Sequence, residues 1–528
     1  MRIYDSNECK ASLPFNLKLI NTFCLVIVLL LIGSCARPKN IESAILDDRN
    51  SFYYINVDEY PKDRRSLPIG VFDSGTGGLS VLNDIINYKV YIDPKRDCTK
   101  EGYGSGAFNN ESFVFLADLA NMPYGSYSPE NNTELLVEHV MKDMQFLLGN
   151  KYYQTAGSAQ YKEDKNPVKA IVIACNTATA YALDTIREFI GKSGLNLGVI
   201  GVIDAAADGA ISNFSADESG SIAVLATAGT VMSGAYIRSL ENVKKKSGRR
   251  GEISVYQQAG IGIAEAIDEN NDFILRSATK PREGYKGPSE TGTGEIQIDM
   301  SLWDRYNFTM EGGEILFDGT KDNPLNIQIN SVRNYISFHL VSLMENIVKS
   351  GESKSLKVVI LACTHYPFFE DTFREELSRL REYKEEGKYI YKDYMDEEII
   401  IVNPAVNIAA QLYLYLSERN ILNPKLPGKS EFYISVPNIL NKQVRLREDG
   451  SFTNEYKYGR EVNDIQEYIK CVPFSRNSIP SDILERLSLQ VPSVFELIVK
   501  FNNENLKTEF LNEEGKIKRK DAKAQIIN

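Results

Sequence analysis

From residue 67 onward, short apolar and β-branched runs recur along the chain: PIGVFD, ESFVFLAD, KAIVIAC, NLGVIGVID, SIAVLAT, KVVILAC and EEIIIVN. Between many of them lie longer amphipathic stretches, such as TELLVEHVMKDMQFLL and SVRNYISFHLVSLMENIVKS. Buried strands alternating with helices predict an α/β fold with largely parallel sheets. Ligands of such sheets sit beyond the carboxyl ends of the strands. The polar residues that directly follow each strand run are therefore the candidates for chemistry.

The pattern also repeats itself. IGVFDSGTGGLSVL (69–82) aligns with IAVLATAGTVMSGA (222–235), and VIACNTA (172–178) aligns with ILACTHY (360–366). Each half opens with a strand and a Gly/Ser/Thr turn, then supplies a strand ending in Ala-Cys and a polar residue. Two pseudo-symmetric lobes facing each other would bring Cys175 and Cys363 to one cleft. The expected division is lobe one at 67–193 plus 398–440 and lobe two at 194–397. Polar or Gly-rich stretches at 91–111, 150–167, about 277–325 and about 379–397 read as excursions from the lobes. Residues 441–528 form a C-terminal extension with a hairpin around REDGSF and two amphipathic helices. No chemistry is legible there, and packing against the lobes is its expected role.

Composition narrows the function classes. The chain has 528 residues, enough for more than one domain, and a net charge of -11 leaves no basic stripe for a nucleic-acid partner. The first forty residues differ from the rest. Arg2, Lys10 and Lys18 precede FCLVIVLLLIGSC, an apolar run too short to span a membrane but suited to a secretory leader. Its end, Ile32-Gly33-Ser34-Cys35, resembles a bacterial lipobox with Cys35 as the lipidated residue. On that reading residues 1–35 are a signal, 36–66 a tether, and the protein is held extracytoplasmically at a membrane by lipid. Without the signal, the expected location is the cytoplasm. The seven cysteines show no CxxC spacing and no disulfide framework.

Cys175 and Cys363 each end a strand and begin a helix, where free amide groups favour an anion. Asn176-Thr177 and Thr364-His365 add donors suited to a carboxylate, and the turn DSGTGG (73–78) lets the backbone approach an anion closely. Taken singly, each signal is weak. A cysteine at a strand end is usually a small buried hydrophobe, and His139 and His339, inside helical stretches, read as structural. Two cysteines with no lysine motif for a pyridoxal Schiff base suggest proton transfer without cofactor or metal.

The joint occurrence of these motifs is similar to a known family. IGVFDSGTGGLSVL, ADLANMPYGSYSPE, VIACNTATA, GVI before Asp204, VLATAGTVMSGAY, ILACTHYPFFED and FYISVP (432–437) stand in the order found in bacterial glutamate racemases. The resemblance covers about 67 to 440. It implies cofactor-independent, two-base racemisation of glutamate between two α/β lobes, linked to D-glutamate supply for peptidoglycan. Cys175 would act on D-glutamate and Cys363 on L-glutamate, with Asp73 and His365 beside the thiols in the substrate site. Ser74, Tyr124, Gly125, Asn176, Thr177 and Thr364 would hold the amino acid, and Glu265 would supply a further acidic group. The chain departs from the family at Asp204-Ala205, where Glu-Pro is usual, and at Gln257-Gln258, where Cys-Pro is common. Aspartate or another amino acid remains an alternative substrate, and an amino-acid-binding lipoprotein without turnover an alternative class. A homo-oligomer is allowed but not required.

Overall fold

The computed structural model describes residues 40–90, 105–352 and 354–521. The leader, Cys35 and Cys98 lie outside the described residues. Ten strands build the two main sheets: β1 (Ile69–Asp73), β2 (Phe113–Ala117), β3 (Ala170–Ile173), β4 (Gly198–Gly201), β5 (Gly220–Ala226), β6 (Ile253–Ala259), β7 (Leu356–Ala362), β8 (Met395–Val402), β9 (Glu431–Pro437) and β10 (Ile469–Pro473). The first sheet runs β10-β9-β2-β1-β3-β4 and the second β8-β7-β5-β6. Every pairing in them is parallel except that of β9 with β10.

The sequence repeat is thus a repeat of topology. Strand β1 corresponds to β5 and β3 to β7, so the order β2-β1-β3-β4 is matched by β6-β5-β7-β8. Both cysteines follow the same strand of their own lobe. The helix Pro404–Glu418 packs between the helices Gly78–Asn87 and Val202–Ser212, which joins the lobes on one side.

Several boundaries differ from the expected ones, because a strand belongs to the sheet it pairs with and pairing is not written in a linear pattern. The strand β4 pairs with β3, so lobe one continues past residue 193. Residues 398–402 lie in β8, which pairs with β7 in lobe two. The extension contributes β10 to the edge of the first sheet.

The expected tether is also corrected. From Asn40 onward it folds onto lobe one: Ile41, Ala44, Ile45, Tyr53, Ile55 and Tyr60 are buried in that lobe's core. The Tyr60 hydroxyl donates to the Val168 carbonyl at 2.6 Å. Apolar residues spaced to cover a surface are costly to leave in water, so this segment packs. The stretch at about 277–325 likewise is more than an excursion, since Ile298, Tyr306 and Ile315 join the core of lobe two. Among the described residues no helix is long and apolar enough to cross a membrane.

The helix Thr133–Leu148 begins and ends as its sequence predicts, yet its polar face is covered. Lys142 and Glu138 pair at 2.7 Å with their side chains 2% and 3% exposed. Tyr53 from the N-terminal segment and Tyr468 from the extension lie against the Lys142 ammonium. His139 Nδ1 meets the Tyr468 hydroxyl at 2.6 Å, away from the cleft, which bears out its structural reading. His339 is buried in the helix Val332–Ser350, its Nε2 at 2.9 Å from the Ile261 carbonyl.

Candidate active site

Four strand ends converge on one cleft. After β1, the turn from Ser74 to Gly77 leads into the helix Gly78–Asn87. The Asp73 carboxylate closes this turn, accepting from the backbone N–H groups of Gly78 at 2.8 Å and Gly75 at 3.3 Å. Gly77 is required by close approach: a Cβ there would stand 2.7 Å from Thr364 Oγ1 in the other lobe. After β3, Cys175 caps the helix Asn176–Ser193, its sulfur accepting from the Ala178 N–H at 3.5 Å. After β5, Thr227 caps the helix Ala228–Ser233. After β7 come Cys363, Thr364 and His365, then a single tight turn.

These ends enclose a cavity of about 420 Å³ including its mouth. Lobe one contributes Ser74, Tyr124, Gly125, Cys175, Asn176 and Thr177; lobe two contributes Cys363, Thr364, His365, Thr227 and Glu265. Both thiols line the cavity, each 6% exposed. Apart from Glu265 and the His365 imidazole the polar lining is neutral donors, joined by the first-turn amides behind Cys175, an environment built for a carboxylate.

The two thiols have different neighbours. Cys175 Sγ donates to Ser74 Oγ at 3.6 Å, and burial, then the Asp73 charge, push its thiol up. Cys363 Sγ lies 3.5 Å from His365 Nδ1. The other ring nitrogen, Nε2, is 2.7 Å from Asp268 Oδ2. Burial alone would lower the imidazole, but Asp268 outweighs it and raises His365 well above an ordinary histidine. Burial alone would raise Asp268, but His365 and Arg486 hold it below the usual carboxylate range. The site therefore carries an imidazolium beside one thiol and a carboxyl group near the other.

Most residues expected here are brought together, with three differences of detail. Asp73 is fully buried behind the lining, where burial raises its carboxyl group and Thr364 Oγ1 lies 3.3 Å away. It supports the turn and does not face the cavity. Tyr124 offers its ring to the cavity, while its hydroxyl is 2.5 Å from Asp118 and 2.7 Å from Asp143. One phenolic hydrogen cannot serve two carboxylates, so one of these acids holds a proton, consistent with burial raising both. Glu265 lines the cavity with its carboxyl raised by burial, but the residue that touches His365 is Asp268.

Sequence reasoning missed Thr227, Tyr236, Asp268 and Arg486. Thr227 was within reach, since the repeat aligns it with Ser74. Its hydroxyl lies 2.9 Å from that of Thr177 and 3.0 Å from that of Thr230. Tyr236 donates to Asn176 Oδ1 at 2.6 Å and so turns the amide nitrogen of Asn176 away from itself. No local signal marks Arg486. The departures at Asp204-Ala205 and Gln257-Gln258 lie outside the cavity lining.

No protein-family model matches the chain. It is similar to the glutamate racemase of Sulfurihydrogenibium sp. strain YO3AOP1, 31% identical over 290 residues that make up 87% of that protein and 54% of this chain. The glutamate racemase of Thermoanaerobacter pseudethanolicus is 23% identical over 370 residues, 88% of that protein and 70% of this chain. Among solved structures, a glutamate racemase isoform from Bacillus anthracis covers 70% of this chain and 88% of its own at 23% identity, with a TM-score of 0.41. That superposition is too loose to add to the sequence similarity.

Proposed function

Because the chain belongs to the glutamate racemase family, we propose that it interconverts L- and D-glutamate through Cys175 and Cys363, without a cofactor. The observation that carries this reading is the placement of two thiols at equivalent strand ends of two lobes, both opening into one cavity. A carbon acid deprotonated on one face and reprotonated on the other needs one acid–base group per face, and the pseudo-symmetry supplies that pair.

The starting roles come from the family resemblance, and the neighbours of the two thiols support them. Cys363, beside the His365 imidazolium, is the base that takes the α-proton of L-glutamate. Cys175, buried near Asp73, begins as the acid that protonates the opposite face. In the reverse direction the roles exchange. As the proton leaves, negative charge moves into the α-carboxylate, where Ser74, Asn176 and Thr177 and the first-turn amides of the helix behind Cys175 can receive it. Placement of the reacting atoms can supply ~7–11 kcal/mol of the barrier and a positioned acid–base pair a further ~10²–10⁴-fold.

The test is incubation of the purified protein with L-glutamate, followed by chiral separation. D-Glutamate should accumulate to equality with the L-isomer, and Cys175→Ser and Cys363→Ser should each abolish this. No D-isomer from the wild type would overturn the activity; full activity in either variant would overturn the thiol assignment. Supply of D-glutamate for peptidoglycan is a proposal that rests on the family. Lipid attachment at Cys35 rests on the lipobox-like sequence alone, and palmitate labelling that survives Cys35→Ala would exclude it. A lipid-held extracytoplasmic enzyme would act on a glutamate pool separate from the one used for precursor assembly.

A further inference from the structure

The C-terminal extension reaches both rims of the cleft. On lobe one, Lys457 donates to the Met122 carbonyl and Arg460 Nη2 to Asn121 Oδ1 at 2.8 Å, both at the end of the turn that precedes Tyr124. On lobe two, the helix Ser481–Gln490 delivers Arg486. Its guanidinium donates from Nη2 to Asp268 Oδ1 at 3.0 Å and from Nη1 to the Ile267 carbonyl, and lies 5.2 Å from the centre of the Phe368 ring. The two ionic side chains are 14% and 5% exposed. Arg486, Asp268, His365 and Cys363 therefore form a continuous line, drawn from three separated parts of the chain, that ends at a thiol in the cavity.

We propose that Arg486 is a positioning residue for the racemisation: it fixes Oδ1 of Asp268, aims Oδ2 at Nε2 of His365, and so holds Nδ1 toward Cys363. The inference rests on the two-thiol reading above. Its physical basis is that a buried carboxylate can rotate about its last bond and offer either oxygen. A planar guanidinium that also grips the neighbouring carbonyl removes that freedom. The imidazole is then held at both nitrogens, one by Asp268 and one by the sulfur. Arg486 does not line the cavity, so its effect falls on the chemical step rather than on substrate affinity.

A merely structural arginine would fasten the extension to lobe two and do nothing selective. Two readouts separate these roles. The first is the rate at which iodoacetamide alkylates Cys363 and Cys175, followed peptide by peptide by mass spectrometry; it needs no turnover, and Cys175 is the internal control. In Arg486→Gln, alkylation of Cys363 should slow severalfold while Cys175 is unchanged, with Arg486→Lys intermediate. The second is steady-state kinetics with L-glutamate. Arg486→Gln should lower kcat about tenfold or more, part of the ~10²–10⁴-fold a positioned acid–base group contributes, with KM within roughly twofold. In an Asp268→Asn background, removing Arg486 should cost less than about twofold further, because the two act through one contact.

Wild-type alkylation of Cys363 in Arg486→Gln would overturn the proposal. Faster labelling of both cysteines would do so too, by assigning Arg486 to folding alone, as would kcat losses that multiply in the double variant. If the wild type produces no D-glutamate, the functional reading fails on its own, and the alkylation ratio still decides the role of Arg486.

Discussion

At the scale of single residues, the chemistry depends on which side chains face the cavity and which stand behind it. Thr227 faces it, at the position equivalent to Ser74, within a cluster of three hydroxyls. A hydrogen bond to a charged ligand is worth about 1.5–3 kcal/mol, so Thr227→Val should raise KM for glutamate by about tenfold or more. His365 stands beside Cys363 with its proton held by Asp268. Since its folded value is raised, the imidazolium is present at neutral pH and lost only as pH rises through that value. Turnover should therefore fall on the alkaline side, and Asp268→Asn, which removes the cause of the rise, should move that fall to lower pH in a pH–rate profile. The strand-end residues were legible because polarity changes abruptly where a buried run stops, and because the motif occurs twice. Asp268 and Arg486 were not: their contact joins positions 218 apart in the chain, and neither sits in a pattern of its own.

At the scale of elements, the helices and strands were visible in the apolar periodicity, but their neighbours were not. The helix Thr133–Leu148 reads as amphipathic, yet Glu138, His139, Lys142 and Asp143 are buried, because added segments at both ends of the chain cover its polar face. The Lys142–Glu138 pair inside it is a stability device with a testable cost. Lys142→Met leaves Glu138 buried without its counter-ion and should destabilise the protein by about 3–5 kcal/mol in urea unfolding, more than Lys142→Met with Glu138→Gln together. The turn after β1 is the other sensitive element. Gly77→Ala places a methyl group 2.7 Å from Thr364 Oγ1 and 2.9 Å from the His365 ring. The two lobes must give way there, and since a 1 Å misplacement can cost about 10²-fold, kcat should fall far more than stability does.

At the scale of the whole molecule, two lobes of matching topology hold a shared cavity, and the extension bridges its rims. The buried histidines outside that cavity contribute to stability in a way that depends on pH. Burial lowers His139 well below 6.5 and His339 from 6.5 to about 4. The unfolded chain thus takes up protons first on acidification, so stability present above 6.5 is lost as pH falls toward about 4. The difference in thermal-unfolding midpoint between the wild type and His339→Asn should shift in favour of the variant as pH falls from 7 to 5. Two thiols from different lobes flanking one carbon leave a signature in the fate of the α-hydrogen. L-Glutamate turned over briefly in D₂O and analysed by mass should give D-glutamate labelled at Cα while the remaining L-glutamate stays unlabelled, because each face exchanges with its own base. D-Glutamate that keeps the original hydrogen would mean one group serving both faces, and would rule out the two-thiol mechanism.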